Sequence, residues 1–393
     1  MGRAHLPVPR RGVLGPGSHR RPGSRAASRR PRHRPQPPEK RRMSRRTIIL
    51  AGLAAAAVAV FAARGPLLER LTVRQIDRTL TRVDSRPLED GALHVILCGT
   101  AAALPDPERA GPCTAIIAGG QFWLVDIGPG AWRNLDVWNL PVGKLSGVLL
   151  THFHSDHIGD LGEAITQSWI AGRKTPLDVY GPQGIDDIVD GFQCAYSHDA
   201  QYRVAHHGEA YMPSAGSRAL AHALPTPEGD AAVPVFERNG LRVSAFRVDH
   251  APVDFAFGYR IEYRGRVVVI SGDTVKSSAV IHNAQNADLL LHEALASHMT
   301  ERAGARARAI GLERVGKMAG DVRGYHTTPV QAAEVAAAAQ VKSLVLTHIF
   351  PPLPNALARH LFLAGTADAY GGPLQLGYDG LRIDLPAVEA HSS

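Results

Sequence analysis

Short apolar runs alternate with amphipathic stretches over most of the chain, and this alternation sets the expected architecture. Residues 94–98 read as a strand that Gly99-Thr100 breaks, followed by a Pro-rich loop to Gly111. Residues 114–118 and 122–126 read as two strands joined at Gly119-Gly120, a two-residue hairpin signal. Residues 147–150 are apolar and strand-like, 161–170 have helical spacing, and 177–180 form a short strand. Gly181-Pro182 opens a helix toward Cys194. Residues 196–235, rich in Gly, Pro and His, predict an irregular insertion, a lid or pocket wall, in which Arg203 or a neighbouring His would hold an anionic group. Strands follow at 241–248, 257–263 and 267–270, a helix at 275–285 and a buried strand at 288–291. Residues 296–324 predict a basic, helix-prone insertion. Thr328-Pro329-Val330-Gln331 sets a helix start, with Thr as N-cap, Pro at the first position and Gln three after the cap; the helix runs to Ala339. Residues 343–346 form the last expected strand. Strands alternating with helices in two similar halves predict α/β layers.

The N-terminus departs from this pattern. Residues 1–42 are rich in Arg, Pro, Gly and Ser without apolar periodicity, the composition of a disordered tail, and Met43 offers an alternative start. Ser44-Arg45-Arg46 then precedes an Ala-rich apolar run to Ala63, the pattern of a twin-arginine-type export signal or a membrane anchor. Residues 64–90 are expected to be a tether, 91–385 the folded domain and 386–393 a tail.

Charge follows the same division. The 393 residues carry +8 overall, yet residues 1–46 hold fifteen Lys/Arg against one acid, Glu39. The other 347 residues hold twenty-nine Lys/Arg against thirty-five Asp/Glu, so the body is mildly acidic. A protein that grips a polyanion is expected to show a basic face on its folded part. Three cysteines, Cys98, Cys113 and Cys194, without a CxxC pair, imply no disulfide framework; buried free thiols are expected, with a Cys98–Cys113 bridge as the alternative.

The chemistry is concentrated in Thr151-His152-Phe153-His154-Ser155-Asp156-His157. In extended chain, residues two apart point the same way, so His152 and His154 can reach one cation. A helical turn would swing Asp156 and His157 toward a second. Neutral imidazole and carboxylate are ligands that zinc and related divalent ions favour. Three further candidates each end a strand-like run: His250, Asp273 and His348. Loops outside strand ends build sites in layered α/β folds. Five His and two Asp exceed one tetrahedral zinc and suit two metals about 3.5–4 Å apart. His152, His154 and His250 would hold one, Asp156, His157 and His348 the other, with Asp273 bridging. The cofactor expected is therefore two Zn2+, with other divalent metals open, and Asp156 counts among the catalytic residues.

These motifs resemble the metallo-β-lactamase superfamily, in the branch containing ribonuclease Z and arylsulfatase-like enzymes. The resemblance covers about residues 91–385. It rests on Leu97-Cys98-Gly99-Thr100, Leu124-Val125-Asp126-Ile127-Gly128, the His-rich heptad, Tyr180-Gly181-Pro182, Phe257-Gly258-Tyr259-Arg260, Ser271-Gly272-Asp273-Thr274, His292-Glu293-Ala294, His326-Thr327-Thr328 and Leu346-Thr347-His348. It implies a four-layer αββα sandwich and a di-zinc hydrolytic centre. It also implies that His326 donates to substrate or leaving group while Glu293 orients it, across a linker longer than in typical ribonuclease Z.

Within the branch, ribonuclease Z carries a long arm that grips tRNA, inserted in bacterial forms after the Phe-Gly-Tyr-Arg stretch. Only residues 261–266 lie there in this chain. That compactness, the acidic body and the export-type signal predict a periplasmic or otherwise exported hydrolase of small anionic esters, sulfate or phosphodiester, anchored to the inner membrane if residues 47–63 remain as a tether. Nucleic acid is an unlikely partner on this reading, and a homodimer is left open by the resemblance. The alternative is a ribonuclease Z-type endoribonuclease that processes tRNA 3′ ends.

Overall fold

The computed structural model describes residues 44–80 and 82–388; the expected disordered tail at 1–42 lies outside them, as do residues 389–393. The chain divides into two compact units, 1–75 and 76–393. Helix α1, Arg45–Leu80, begins in the first. Its stretch Ile48–Arg78 contains a segment long and apolar enough to cross a membrane by length and composition. The helix does not end at Arg64, so the expected tether at 64–90 is helical up to Leu80. Leu67, Leu68, Glu69, Arg70 and Leu71 are good helix formers and carry it on.

Fourteen strands and ten more helices make up the described part of the second unit. In chain order they are β1 (Leu93–Gly99), β2 (Cys113–Ala118), β3 (Gln121–Val125), α2 (Ala131–Val137), β4 (Leu145–Leu149), α3 (Ser155–Ile158), α4 (Leu161–Ile170), β5 (Leu177–Gly181), α5 (Ile185–His207), β6 (Ala219–Ala223) and β7 (Ala232–Arg238). The second half continues with β8 (Leu241–His250), β9 (Val253–Tyr263), β10 (Arg266–Ile270), α6 (Ser278–Asn283), β11 (Leu289–Leu295), α7 (Ser297–Ala309), α8 (Glu313–Asp321), α9 (Pro329–Ala338), β12 (Leu344–Phe350), α10 (Ala356–Phe362), α11 (Thr366–Ala369), β13 (Leu374–Leu376) and β14 (Arg382–Leu385).

The strands form two seven-stranded sheets, ordered β14-β1-β2-β3-β4-β5-β6 and β13-β12-β11-β10-β9-β8-β7. Both are mixed, and each buries both faces, so central strands such as β1 and β11 are buried at every position rather than at alternate ones. Between the sheets, Leu97, Ile116, Trp123 and Leu149 of the first meet Val243, Phe257, Tyr259 and Leu291 of the second. The outer face of the first sheet packs under Leu135, Leu161, Ile165 and Ile185 of α2, α4 and α5. The outer face of the second packs under Val280 of α6 and the Ala-rich α9. This is the expected αββα sandwich. Trp123 fixes its centre: it stacks on Phe236 at 4.3 Å and donates Nε1–H to Gln121. A Cβ on Gly147 would lie 2.3 Å from the Trp123 ring, so the neighbouring strand needs glycine there.

Two local expectations are corrected. Residues 196–207 are not irregular: α5 runs unbroken to His207 because that stretch contains neither Gly nor Pro, and it stops at Gly208 with φ 82°. Strands β6 and β7 occupy much of the remainder. Cys98 and Cys113 are not free thiols but a disulfide. They sit on adjacent antiparallel strands, where a bulge pairs Gly99 with Cys113 and brings the two Cα atoms to 4.9 Å. Cys194 is free and exposed. The capping box at Thr328 and Gln331 forms with both of its hydrogen bonds.

Candidate metal centre

The apolar strand β4 delivers the His-rich heptad to the edge of the inter-sheet core. The chain bends at Thr151, passes through an irregular segment in which His154 is extended, and α3 then turns Asp156 and His157. His152 Nε2 and His154 Nδ1 lie 2.9 Å apart, and His250 Nε2 lies 3.4 Å from the same His154 nitrogen. The donor atoms of these three residues therefore surround one position. Asp156, His157 and His348 surround another, with Asp156 Oδ2 3.6 Å from His157 Nε2 and 3.4 Å from His348 Nε2. Asp273 stands between them. Its Oδ2 is 3.3 Å from His157 Nε2, 3.2 Å from His348 Nε2, 3.9 Å from His250 Nε2 and 4.0 Å from His152 Nε2. The structure thus brings together all seven residues singled out in the sequence, four of them from one sheet and three from the other.

Backbone geometry explains how those strand ends turn. Gly272, at φ 61°, precedes Asp273, and a Cβ there would lie 2.4 Å from the Phe257 carbonyl oxygen. No side chain fits, so glycine is required to aim Asp273 inward. His348 itself is left-handed at φ 49°, as is Asp126 at φ 58°. Strained non-glycine residues of this kind cost on the order of 1–3 kcal/mol each and persist where the surrounding packing enforces them.

A divalent cation fits this donor set. His157 Nε2 is buried without a hydrogen-bond partner and faces two carboxylate oxygens, the position of a nitrogen waiting for a cation. Burial presses His152 well below the ordinary imidazole value, aided by His157 beside it, and so keeps it in the neutral form that ligates. Burial works the other way on Asp156, but its hydrogen bond to His348 and the nearby His157 hold it down at about 2. Asp273, also opposed by burial, is held well below the carboxylate range by His348 and His157.

Outer partners fix the rings. His157 Nδ1 donates to Asp126 Oδ2 at 2.8 Å, and the same carboxylate accepts from the Thr151 amide and hydroxyl. His250 Nδ1 donates to the Tyr325 carbonyl at 2.9 Å. Sequence reasoning quoted Asp126 only as part of a motif and gave it no role. Its signal was an acid directly after a strand, repeating the pattern that flagged Asp273.

His326 and Glu293 form a second arrangement beside the first. His326 Nδ1 donates to Glu293 Oε1 at 2.9 Å, and that oxygen also accepts the Thr274 and Thr327 amides. Burial alone would lower His326, but the Glu293 carboxylate, with Asp273, raises it to about 9. The long linker therefore leaves the pair in contact. His326 also falls within donor distance of His250 and Asp273. By contrast Arg203, His206 and His207 do not reach this region: Arg203 pairs with Asp199 at 2.6 Å on α5, and none of the three lines the cleft over the metal ligands. No residue of the expected lid or pocket wall at 196–235 lines that cleft; Tyr196, Ser197 and Ala205 of α5 instead line a separate cavity with Ser214 and Arg218.

Two sheets sealed by outer helices, with five imidazoles and two carboxylates at their shared rim, define a metal-dependent hydrolase of the metallo-β-lactamase type. The family described as Beta-lactamase superfamily domain matches residues 123–349, which include all seven donors, Glu293 and His326. A ribonuclease Z of Mycolicibacterium paratuberculosis (strain ATCC BAA-968 / K-10) is 35% identical over 298 residues, 75% of this chain and 99% of its own. A ribonuclease Z of Mycobacterium bovis (strain BCG / Pasteur 1173P2) is 34% identical over 297 residues, 75% of this chain and 98% of its own. The crystal structure of human tRNase Z, short form, superposes with a TM-score of 0.53 at 22% identity, over 75% of this chain and 99% of that one. The metallo-β-lactamase fold protein YhfI from Bacillus subtilis gives the same TM-score at 20% identity. The chain belongs to the metallo-β-lactamase superfamily, among relatives named ribonuclease Z.

These relatives correct the expected function and partners. Relatives matched over nearly their whole length are ribonucleases by name, which overturns both the small anionic ester as substrate and the expectation that nucleic acid is not a partner. Net charge over the whole body does not report where basic residues cluster on its surface, and one compact hairpin does not exclude an RNA contact elsewhere. Strands β9 and β10 do join by the two-residue turn Arg264-Gly265, so no arm is inserted there.

Proposed function

We propose that the protein is an endoribonuclease of the ribonuclease Z type that hydrolyses a phosphodiester bond in RNA, with precursor tRNA as the substrate class to test first. The observation that carries this reading is the 35% identity to a protein named ribonuclease Z over 99% of that protein. The site chemistry agrees with it, since cleaving a phosphodiester asks for charge neutralisation, a positioned water and a proton for the leaving oxygen.

His152, His154 and His250 would hold one divalent cation, Asp156, His157 and His348 a second, and Asp273 would serve both; zinc is the cation the donor set favours. Bound there, the cations supply Lewis-acid polarisation and lower the pKa of water. The chain's own residues do the rest. Asp126 and the Tyr325 carbonyl hold the ligating rings by their far nitrogens. Glu293 holds His326 by Nδ1 and keeps it protonated, so that Nε2 can hand its proton to the departing oxygen as the P–O bond breaks. Water supplies the incoming oxygen. The products are one strand ending in phosphate and one ending in hydroxyl.

The test is cleavage of a precursor tRNA by purified full-length protein, loaded with zinc and, separately, stripped with chelator. Site-specific cleavage that chelation stops is expected. An intact RNA under both conditions would overturn the assignment.

The location of the protein is a separate proposal. Helix α1 has the length and apolarity of a membrane tether or export signal. The Cys98–Cys113 disulfide suits an oxidising compartment. Fractionation of cells expressing the tagged chain tests this: recovery in the soluble cytoplasm with both thiols alkylatable would sink it.

A further inference from the structure

One part of the cleft is not used by the chemistry above. Helices α7 and α8 form a hairpin beside the metal ligands, locked by close backbone packing. Gly304 and Gly316 are buried at their crossing, where a Cβ on Gly316 would lie 2.4 Å from Arg308 Cγ, and Arg308 Nη1 donates to the Gly316 carbonyl at 2.6 Å. Arg323 ties the end of the hairpin back to its start, donating to Ser297 Oγ and pairing with Glu301. The hairpin is therefore a built wall rather than a loose excursion.

That wall is apolar where it meets the site. Val315 and Met318, spaced three apart on one face of α8, are 53% and 55% exposed, and Leu104 on the opposite loop is 45% exposed. With Tyr325 they line a cleft of about 480 Å³ whose floor includes Asp156, Asp273 and His326. Large apolar side chains left exposed at the mouth of a catalytic site are a cost unless a ligand covers them. The Tyr325 ring sits 4.9 Å from the His326 ring, so a planar group laid against it would be a near neighbour of the proton donor. Charge points to the same ligand. Residues 297–324 carry six Lys/Arg against three Asp/Glu, in a body that is otherwise acidic. Arg302, Arg306 and Arg314 are exposed and enter no ion pair among the described residues.

We propose that this cleft receives an unpaired nucleobase flanking the scissile phosphodiester, gripped by Leu104, Val315, Met318 and Tyr325. The inference rests on the ribonuclease reading and deepens it. Apolar and π contacts hold any base by its faces, while the hairpin's arginines attract the neighbouring phosphates. The wall offers little for the base edges, so the subsite accepts all four bases and rejects a nucleotide without one.

The experiment compares kcat/KM on a precursor RNA carrying each normal base with that on the same RNA made abasic, in turn, at the two nucleotides flanking the cleaved bond. The zinc-loaded full chain is expected to prefer the base-bearing RNA about tenfold at one of the two positions, with little difference among the four bases. Met318→Asp and Leu104→Asp, on separate elements and both exposed, should each pull that ratio toward one, whereas Tyr211→Asp, far along the chain in an exposed turn, should leave it unchanged. Equal cleavage of base-bearing and abasic RNA, or a ratio untouched in both wall variants, would overturn the inference while leaving the ribonuclease assignment standing. Cleavage of neither RNA would overturn that assignment, and the base subsite with it.

Discussion

The carboxylate of Asp126 takes a hydrogen bond from His157 Nδ1 at 2.8 Å and two more from Thr151, the residue that opens the His-rich segment. One side chain at the end of β3 thereby sets the ring orientation of a candidate ligand on α3 and anchors the chain between them. Asp126→Asn keeps the shape but blurs the acceptor. The expected result is a fall of about 10–100-fold in metal affinity or activity, the range for losing an outer partner of a ligating histidine. Metal titration of the purified variant checks it, and unchanged affinity would remove Asp126 from the site.

Direct ligands should cost more. His154→Ala and Asp273→Ala are each expected to reduce bound metal and to lower turnover by more than the outer-partner range. Asp273→Ala should be the more severe, because its Oδ2 lies within 4.0 Å of four of the imidazoles. Elemental analysis alongside RNA cleavage reads both effects; full metal content with full activity would refute the ligand set.

His326 and Glu293 should behave differently from the ligands. His326→Ala is expected to slow cleavage by about 10²–10⁴-fold with bound metal retained. An RNA whose leaving oxygen is replaced by sulfur needs no proton on departure, so it should recover most of the loss. Glu293→Gln should show a smaller version of the same pattern. No rescue by the sulfur substrate would mean that His326 is not the proton donor.

Most of this centre was legible in the sequence, for a physical reason. Ligands at or after the ends of apolar strand-like runs are forced to a sheet rim, so His152, His250, Asp273 and His348 group together on the strand pattern alone. The helix starting at Thr328 was equally readable, since capping is local. What could not be read depended on contacts distant in sequence. The Cys98–Cys113 bond needs the strand bulge that aligns the two residues. The cleft wall needs α7 and α8 folded back over the site, which their basic composition did not disclose. The length of α5 is masked by the His- and Gly-rich composition around it, although the run from 192 to 207 holds no Gly or Pro to break it.

The disulfide closes a loop with a sequence separation of 15 between Cys98 and Cys113. That loop includes Leu104 of the cleft. Cross-linking a loop of this size stabilises by about 3 kcal/mol in the chain-entropy description. Cys98→Ser with Cys113→Ser should therefore lower the unfolding free energy by about that amount, seen as a lower urea midpoint. A midpoint unchanged from the oxidised native protein would show that the bond does not form or does not matter.

Acid should weaken the join between the ends of the folded unit. His94 is buried between Asp90 at 2.8 Å and Asp384 at 2.5 Å, linking β1 to the last strand. Burial pushes both carboxyls up, but the His94 hydrogen bond and other contacts bring them below the usual 3.8. A depressed folded value means stability that is present above 3.8 and lost as pH falls below it. Both acids are about half exposed, so solvent keeps the effect modest. The urea midpoint should drop between about pH 6 and about pH 3, and drop less in His94→Asn. Equal drops in both proteins would exclude this triad as a source.

The donors at the rim come from opposite halves of the molecule: His152, His154, Asp156 and His157 follow a strand of one sheet, while His250 ends β8, Asp273 follows β10 and His348 lies in β12, all of the other. A cation seated among them would act as a rivet across the sandwich as well as a reagent. Stripping it should let the halves part more readily under heat or protease, so the loaded state and the durable state of the fold would be one and the same.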